Sequence, residues 1–148
     1  DKNNIKNHIE YLLSWGLLVG GYNNDFLLEE EISEREFAHI IVKGLKQQEA
    51  PILYEWVPGG LETMSSLKPL SRDKAAMLLM VAISKRVSDI DEDDYFQKAV
   101  EYDLIPEIIS SNIRENRLLN RVEAYILISS FLQKYPLNDH LSFYRGDG

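Results

Sequence analysis

The feature that most constrains this chain is a fourteen-residue frame that occurs three times, at residues 32–45, 70–83 and 119–132. Each copy opens on an apolar residue (Ile32, Leu70, Leu119). A good helix-capping residue follows each of them (Ser33, Ser71, Asn120). Three positions after the cap, two copies carry glutamate, Glu36 and Glu123, which completes a capping box; the middle copy has Lys74 there. The opening apolar residue can fold back on the fourth helical position, Phe37, Ala75 or Ala124, as a hydrophobic staple. Apolar residues then return at helical spacing: Ile40, Ile41 and Leu45; Leu78, Leu79 and Ile83; Leu127, Ile128 and Leu132. Three helices with one start signal and one apolar face suit a single shared core. The expectation is an all-α fold.

A second regularity extends the first. Shifted by 87 residues, Ile9, Leu12, Leu13, Leu17, Leu18, Phe26 and Ile32 fall on Phe96, Ala99, Val100, Leu104, Ile105, Ile113 and Leu119. This reads as a repeated helix–loop–helix unit. In the first unit a helix capped by Asn3 or Asn4 runs to about Trp15, with Ile5, Ile9, Leu12 and Leu13 on one face, and Gly16 ends it. Residues 20–26 form a loop whose Gly and Asn tolerate positive φ. The middle frame lies 38 residues after the first and 49 before the third, so its unit is irregular. There Pro51 can open a short helix bearing Trp56, residues 58–60 stop it, and residues 61–67 can form another turn. The units span about 3–47, 48–86 and 87–135, and residues 136–148 read as a tail or linker.

Composition narrows the functions. A chain of 148 residues can bury one substantial core, and 16 basic against 24 acidic residues leave a net charge of −8. Nucleic-acid binding needs clustered positive charge, so that partner is disfavoured. There is no cysteine, hence no disulfide or thiolate chemistry. No apolar run is long enough to span a membrane, so no membrane insertion is expected. The chain opens on Asp1 without an initiating Met, as a processed or excised chain would. No nucleophile elbow, phosphate loop or paired catalytic constellation is present, which argues against an enzyme and against a cofactor. His8, His39 and His140 lack metal-ligand spacing, and His39 is expected beside the core face of its helix. Asp89, Asp91, Asp93 and Asp94 lack the central glycine of a calcium loop, and Val100 takes its twelfth position, so an acidic helix start is the better reading. The tripeptide at 145–147, Arg-Gly-Asp, is weak as a motif.

The units resemble S-layer homology (SLH) repeats of bacterial surface proteins. That family's pattern is an aromatic-bearing helix, a glycine, an apolar pair, Gly-Tyr-x-Asp-Gly-x-Phe, and Ile-Thr-Arg-x-Glu opening a second helix. The first unit offers Gly16-Leu-Leu, Gly21-Tyr-Asn-Asn-Asp-Phe and Ile32-Ser-Glu-Arg-Glu; the middle unit Leu70-Ser-Arg-Asp-Lys; the third Leu119-Asn-Arg-Val-Glu. The resemblance implies three helix–loop–helix repeats in a pseudo-threefold arrangement around a central three-helix bundle. It also implies a non-catalytic anchor on the extracellular bacterial cell surface that binds an anionic secondary cell-wall polysaccharide, often pyruvylated, in grooves between repeats. The motif arginine contacts the ligand, and here that position holds Arg72 and Arg121. In the first unit it holds Glu34, with Arg35 one residue late. The family's Asp-Val-Pro segment and following aromatic correspond to Asp89 and Tyr95, and Trp15 is a candidate groove aromatic. The alternative is an SLH-like domain repurposed for a protein partner or self-assembly.

Overall fold

The computed structural model describes residues 2–18, 28–47, 67–83 and 87–134. Among them are six α-helices, one 3₁₀ turn and no strand: α1 (Lys2–Ser14), α2 (Glu34–Gln47), α3 (Arg72–Ala82), the turn Glu92–Asp94, α4 (Tyr95–Glu101), α5 (Glu107–Ser110) and α6 (Arg121–Lys134). The fold is all-α. The expected loop at 20–26, the short helix after Pro51 with Trp56, His140 and the tail at 136–148 lie outside the described residues.

The framed helices are α2, α3 and α6, and each begins where its cap residue stands. Ser33 Oγ accepts from the Glu36 amide at 3.1 Å, Ser71 Oγ from Lys74 at 3.1 Å, and Asn120 Oδ1 from Glu123 at 2.9 Å. All six staple residues are essentially inaccessible: Ile32, Leu70 and Leu119, and Phe37, Ala75 and Ala124. They belong to one hydrophobic cluster that also holds Leu78, Leu79, Leu127, Ile128, Phe131 and Leu132. Around it, α1 packs on α6, α3 on α4, and α2 touches both α3 and α6. At Gly44 the backbone of α2 packs tightly against α6, because a Cβ there would meet Leu132 Cδ1 at 2.5 Å.

The segments that lead into α2, α3 and α6 are tied directly to one another. Antiparallel bridges join Ser33 to Pro69, Ser71 to Leu118 and Glu31 to Asn120. The first amide of each helix donates to a neighbouring segment: Glu34 to Lys68 O (3.0 Å), Arg72 to Arg117 O (2.8 Å) and Arg121 to Glu30 O (2.8 Å). A helix start normally leaves such amides for water or a cap. Here they hold three helix starts together.

The 87-residue correspondence reaches the backbone. At the end of α1, Gly16 N–H donates to Leu13 O and Leu17 N–H to Leu12 O; after α4, Asp103 N–H donates to Val100 O and Leu104 N–H to Ala99 O. Both are Schellman ends, with a left-handed residue at the stop: Gly16 at φ 69° and Asp103 at φ 61°. Lys134 Nζ bonds both the carbonyl and the carboxylate of Asp103. That pair is exposed and contributes little, whereas the left-handed backbone costs a residue with a Cβ about 1 kcal/mol. Asp103→Gly is therefore expected to stabilise by up to about 1 kcal/mol, read as a rise in thermal midpoint. A drop would mean that the Lys134 clamp dominates.

Three details depart from the sequence reading. Leu13 is 39% exposed, so only Ile5, Ile9 and Leu12 of its group face the core. His39 lies on the solvent side of α2, one step past the buried Ala38 and before Ile40. The short α5 had no signal beyond Pro106, which occupies its N-cap. His8, by contrast, is half-buried, with Nδ1 2.9 Å from Ser129 Oγ, and burial holds its pKa below the ordinary histidine value.

Candidate functional site

Arg121 is the first residue of α6, and its own amide is fixed to Glu30 O. This places its side chain against the first turn of α2, where Glu36 is the third residue. The guanidinium and carboxylate meet in a two-pronged pair, Nη2 to Oε1 at 2.9 Å and Nη1 to Oε2 closer still; Nη1 also donates to Tyr125 Oη at 3.0 Å. The Glu36 hydrogen bonds hold the Arg121 pKa well above its ordinary value, so it stays cationic at any working pH. Its Nε is buried and donates to no group among the described residues. Beside it opens a cleft of about 250 Å³ lined by Glu31, Ile32, Ser33, Glu36, Leu67, Pro69 and Arg121. The segments leading into α2 and α3 and the first residue of α6 contribute to that lining.

Arg72 occupies the same frame position but a different environment. Nε donates to Asp73 Oδ1 at 2.9 Å, Nη1 reaches Ile113 O at 3.4 Å, and Cζ lies 4.0 Å from the centroid of the Phe96 ring. Its side chain is 11% exposed. A guanidinium stacked on an aromatic face and bonded to a carboxylate joins α3 to α4 and the loop before α6. It is not a lining residue of the Arg121 cleft.

The third frame shows what a capping box looks like when the glutamate is not diverted. Glu123 Oε1 accepts from the Asn120 amide at 2.9 Å, and Arg117 clamps both carboxylate oxygens at 2.9 and 2.6 Å. Burial alone raises the Glu123 pKa, but the Arg117 and Asn120 bonds outweigh it and the carboxyl is held below its usual range. A depressed carboxyl adds stability above its unfolded pKa, about 4.3, and that stability is lost as pH falls through the folded value. Glu123→Ala is expected to cost about 1–2 kcal/mol at neutral pH in urea unfolding. The gap from the parent should close below about pH 4, and a gap that persists there would refute the electrostatic account.

The six candidate residues do not converge on one place. Arg121 faces the cleft just described. Arg35 lines a separate cleft of about 440 Å³ with Leu17, Ser33, Glu36, His39, Ile40 and Lys43. Asp89 is exposed before the 3₁₀ turn, and Tyr95 opens α4 half-buried against the core. Trp15 is 37% exposed, its ring 6.4 Å from Tyr11 and tilted by 53°. The capping-box pattern accounts for Glu36 only as a cap. It lines both clefts, and a glutamate facing an arginine 85 positions away leaves no local signal. No family model matches this chain, and no curated protein or solved structure matches it either.

Proposed function

We propose that this chain is a non-catalytic surface-anchoring module of three SLH-like repeats, arranged with pseudo-threefold symmetry around α2, α3 and α6, and that it binds an anionic cell-wall polysaccharide. The threefold reading is supported by the matched bonds between helix starts: in each, the first helical amide donates to the carbonyl two residues before the next staple residue. The observation that carries the function is Arg121 at the wall of a cleft between these starts, its guanidinium fixed by Glu36. A planar guanidinium suits a carboxylate-bearing sugar substituent, and the N-termini of α2 and α6 add partial positive charge nearby. In this reading Arg121 meets the ligand and Arg72 braces the fold.

A protein partner on the bacterial surface is the second reading, favoured by Leu67, 93% exposed at the cleft, and Leu118, 44% exposed. Co-sedimentation with purified cell-wall sacculi separates the two. Binding that vanishes when the polysaccharide is chemically removed supports the anchor. Binding that survives removal, or no binding at all, supports the partner.

A further inference from the structure

We propose that α1 is an acid-released element, held on α6 through a neutral histidine and let go in mild acid while α2, α3 and α6 keep their common core. The inference does not depend on the anchor reading. The framed helices are bonded to one another through their first amides, whereas α1 joins the fold by packing on α6. Its buried side is Ile9 and Leu12, with Ile5 partly buried beside them. His8 stands next to Ile9 at the edge of that contact, half-buried, with Nδ1 2.9 Å from Ser129 Oγ.

The bond between the two helices has a direction. Gln133 Nε2 donates to Ser129 Oγ at 2.7 Å, so the hydrogen left for His8 is the serine's own. His8 Nδ1 therefore accepts, and the imidazole is neutral with its proton on Nε2. Ser129 is 0% exposed, which keeps water from standing in for the imidazole. A second proton, on Nδ1, would aim two donors at one hydroxyl oxygen and drive the serine's hydrogen out of the contact. The new charge would also meet no carboxylate among the described residues. On α1, Lys6 and Glu10 lie two residues to either side, around the helix from His8, and pair with each other at 3.8 Å. On α6, the residues one turn from Ser129 are Tyr125, Ile126, Leu132 and Gln133, none of them acidic. The charged groups of α6 are engaged elsewhere: Arg121 with Glu36, Glu123 with Arg117, and Lys134 with Asp103.

Burial holds the His8 pKa below its ordinary value of about 6.5. A base depressed in this way favours the docked helix in full above that ordinary value. As pH falls below it, the released helix takes up the proton first, and each further pH unit weakens docking by up to about tenfold until the docked value is reached. The element that moves is one helix, opening as a local unit of the fold. Its release bares Ile9, Leu12 and the side of α6 that they cover.

The test is amide hydrogen exchange of the whole chain at about pH 7.5 and about pH 5.5, one unit to either side of the ordinary histidine value, corrected for intrinsic rates and read on peptides from α1, α2 and α6. The expected result is that protection of α1 falls about three- to tenfold in acid while protection of α2 and α6 is kept. His8→Gln accepts the same serine hydrogen and cannot take a charge, so it should abolish the acid response of α1. If that variant melts early, His8→Leu makes the same comparison with an apolar side chain. An NMR titration of His8 in the unaltered chain needs no variant, and its imidazole should titrate below about 6.5. Unchanged α1 protection in acid, an acid loss that persists in the neutral variants, a loss shared equally by α2 and α6, or a His8 that titrates at or above its ordinary value would each overturn the proposal.

Discussion

Phe37→Ala is expected to lower the free energy of unfolding by about 3–5 kcal/mol. Phe37 is 0% exposed and follows the Ser33 cap by one helical turn, beside Ile32, which is 1% exposed. Its counterparts in the other two frames are Ala75 and Ala124, both also 0% exposed. One large and two small side chains thus occupy equivalent places. The phenyl ring fills volume that neither alanine can reach, and truncation leaves a cavity as well as lost transfer energy. A loss of this size lowers the thermal midpoint by roughly 10 °C or more in a chain of this length. Phe37→Leu keeps most of the volume and should cost nearer 1 kcal/mol. Urea unfolding of both variants checks the ordering. A cost below about 1 kcal/mol for Phe37→Ala would show that the ring does not close the core between the framed helices.

This contrast also shows why part of the architecture was legible from residue order alone. Caps, staples and apolar period are local: Ser33, Ser71 and Asn120 act on amides three residues away, and the spacing of Leu78 and Leu79 states which face is buried. The 87-residue shift holds even at the stops, where Asp103 adopts the left-handed backbone that Gly16 adopts, but an aspartate at that place does not announce it. What residue order does not carry is which helix start meets which. The bond from Arg121 N–H to Glu30 O spans 91 positions with no compositional mark. The same holds for Arg72, whose stacking on Phe96 depends on α4 arriving over the first turn of α3. Two arginines identical in the frame therefore differ in chemistry. The one-residue displacement of Arg35 is visible in the sequence, but that it moves the side chain into another cleft follows only from the helix geometry.

Removing Glu36 should move stability and ligand binding in opposite directions, which no purely structural role of the Arg121 pair would do. On the proposed reading, Glu36 and an anionic sugar compete for the same guanidinium. The pair is partly shielded, with Arg121 19% and Glu36 39% exposed, so its loss leaves a half-buried cation without its main partner. Glu36→Gln is expected to destabilise by about 1–3 kcal/mol, less than a fully buried pair would because solvent screens the site. Yet the freed guanidinium should bind sacculi or their released polysaccharide about three- to tenfold more tightly. Arg121→Ala should weaken the same binding by about 10- to 100-fold, the loss of one charge-assisted, two-pronged contact. Arg72→Ala should leave affinity within about twofold in material that remains folded, while costing stability through the broken Asp73 and Phe96 contacts. Titrating released polysaccharide into the three variants by calorimetry, with melting curves beside them, reads both quantities. Tighter binding in Glu36→Gln with binding lost in Arg121→Ala places the ligand on that guanidinium. Binding that tracks stability across all three variants would make the pair a fold element alone and favour the exposed Leu67 and Leu118 surface as the site of contact.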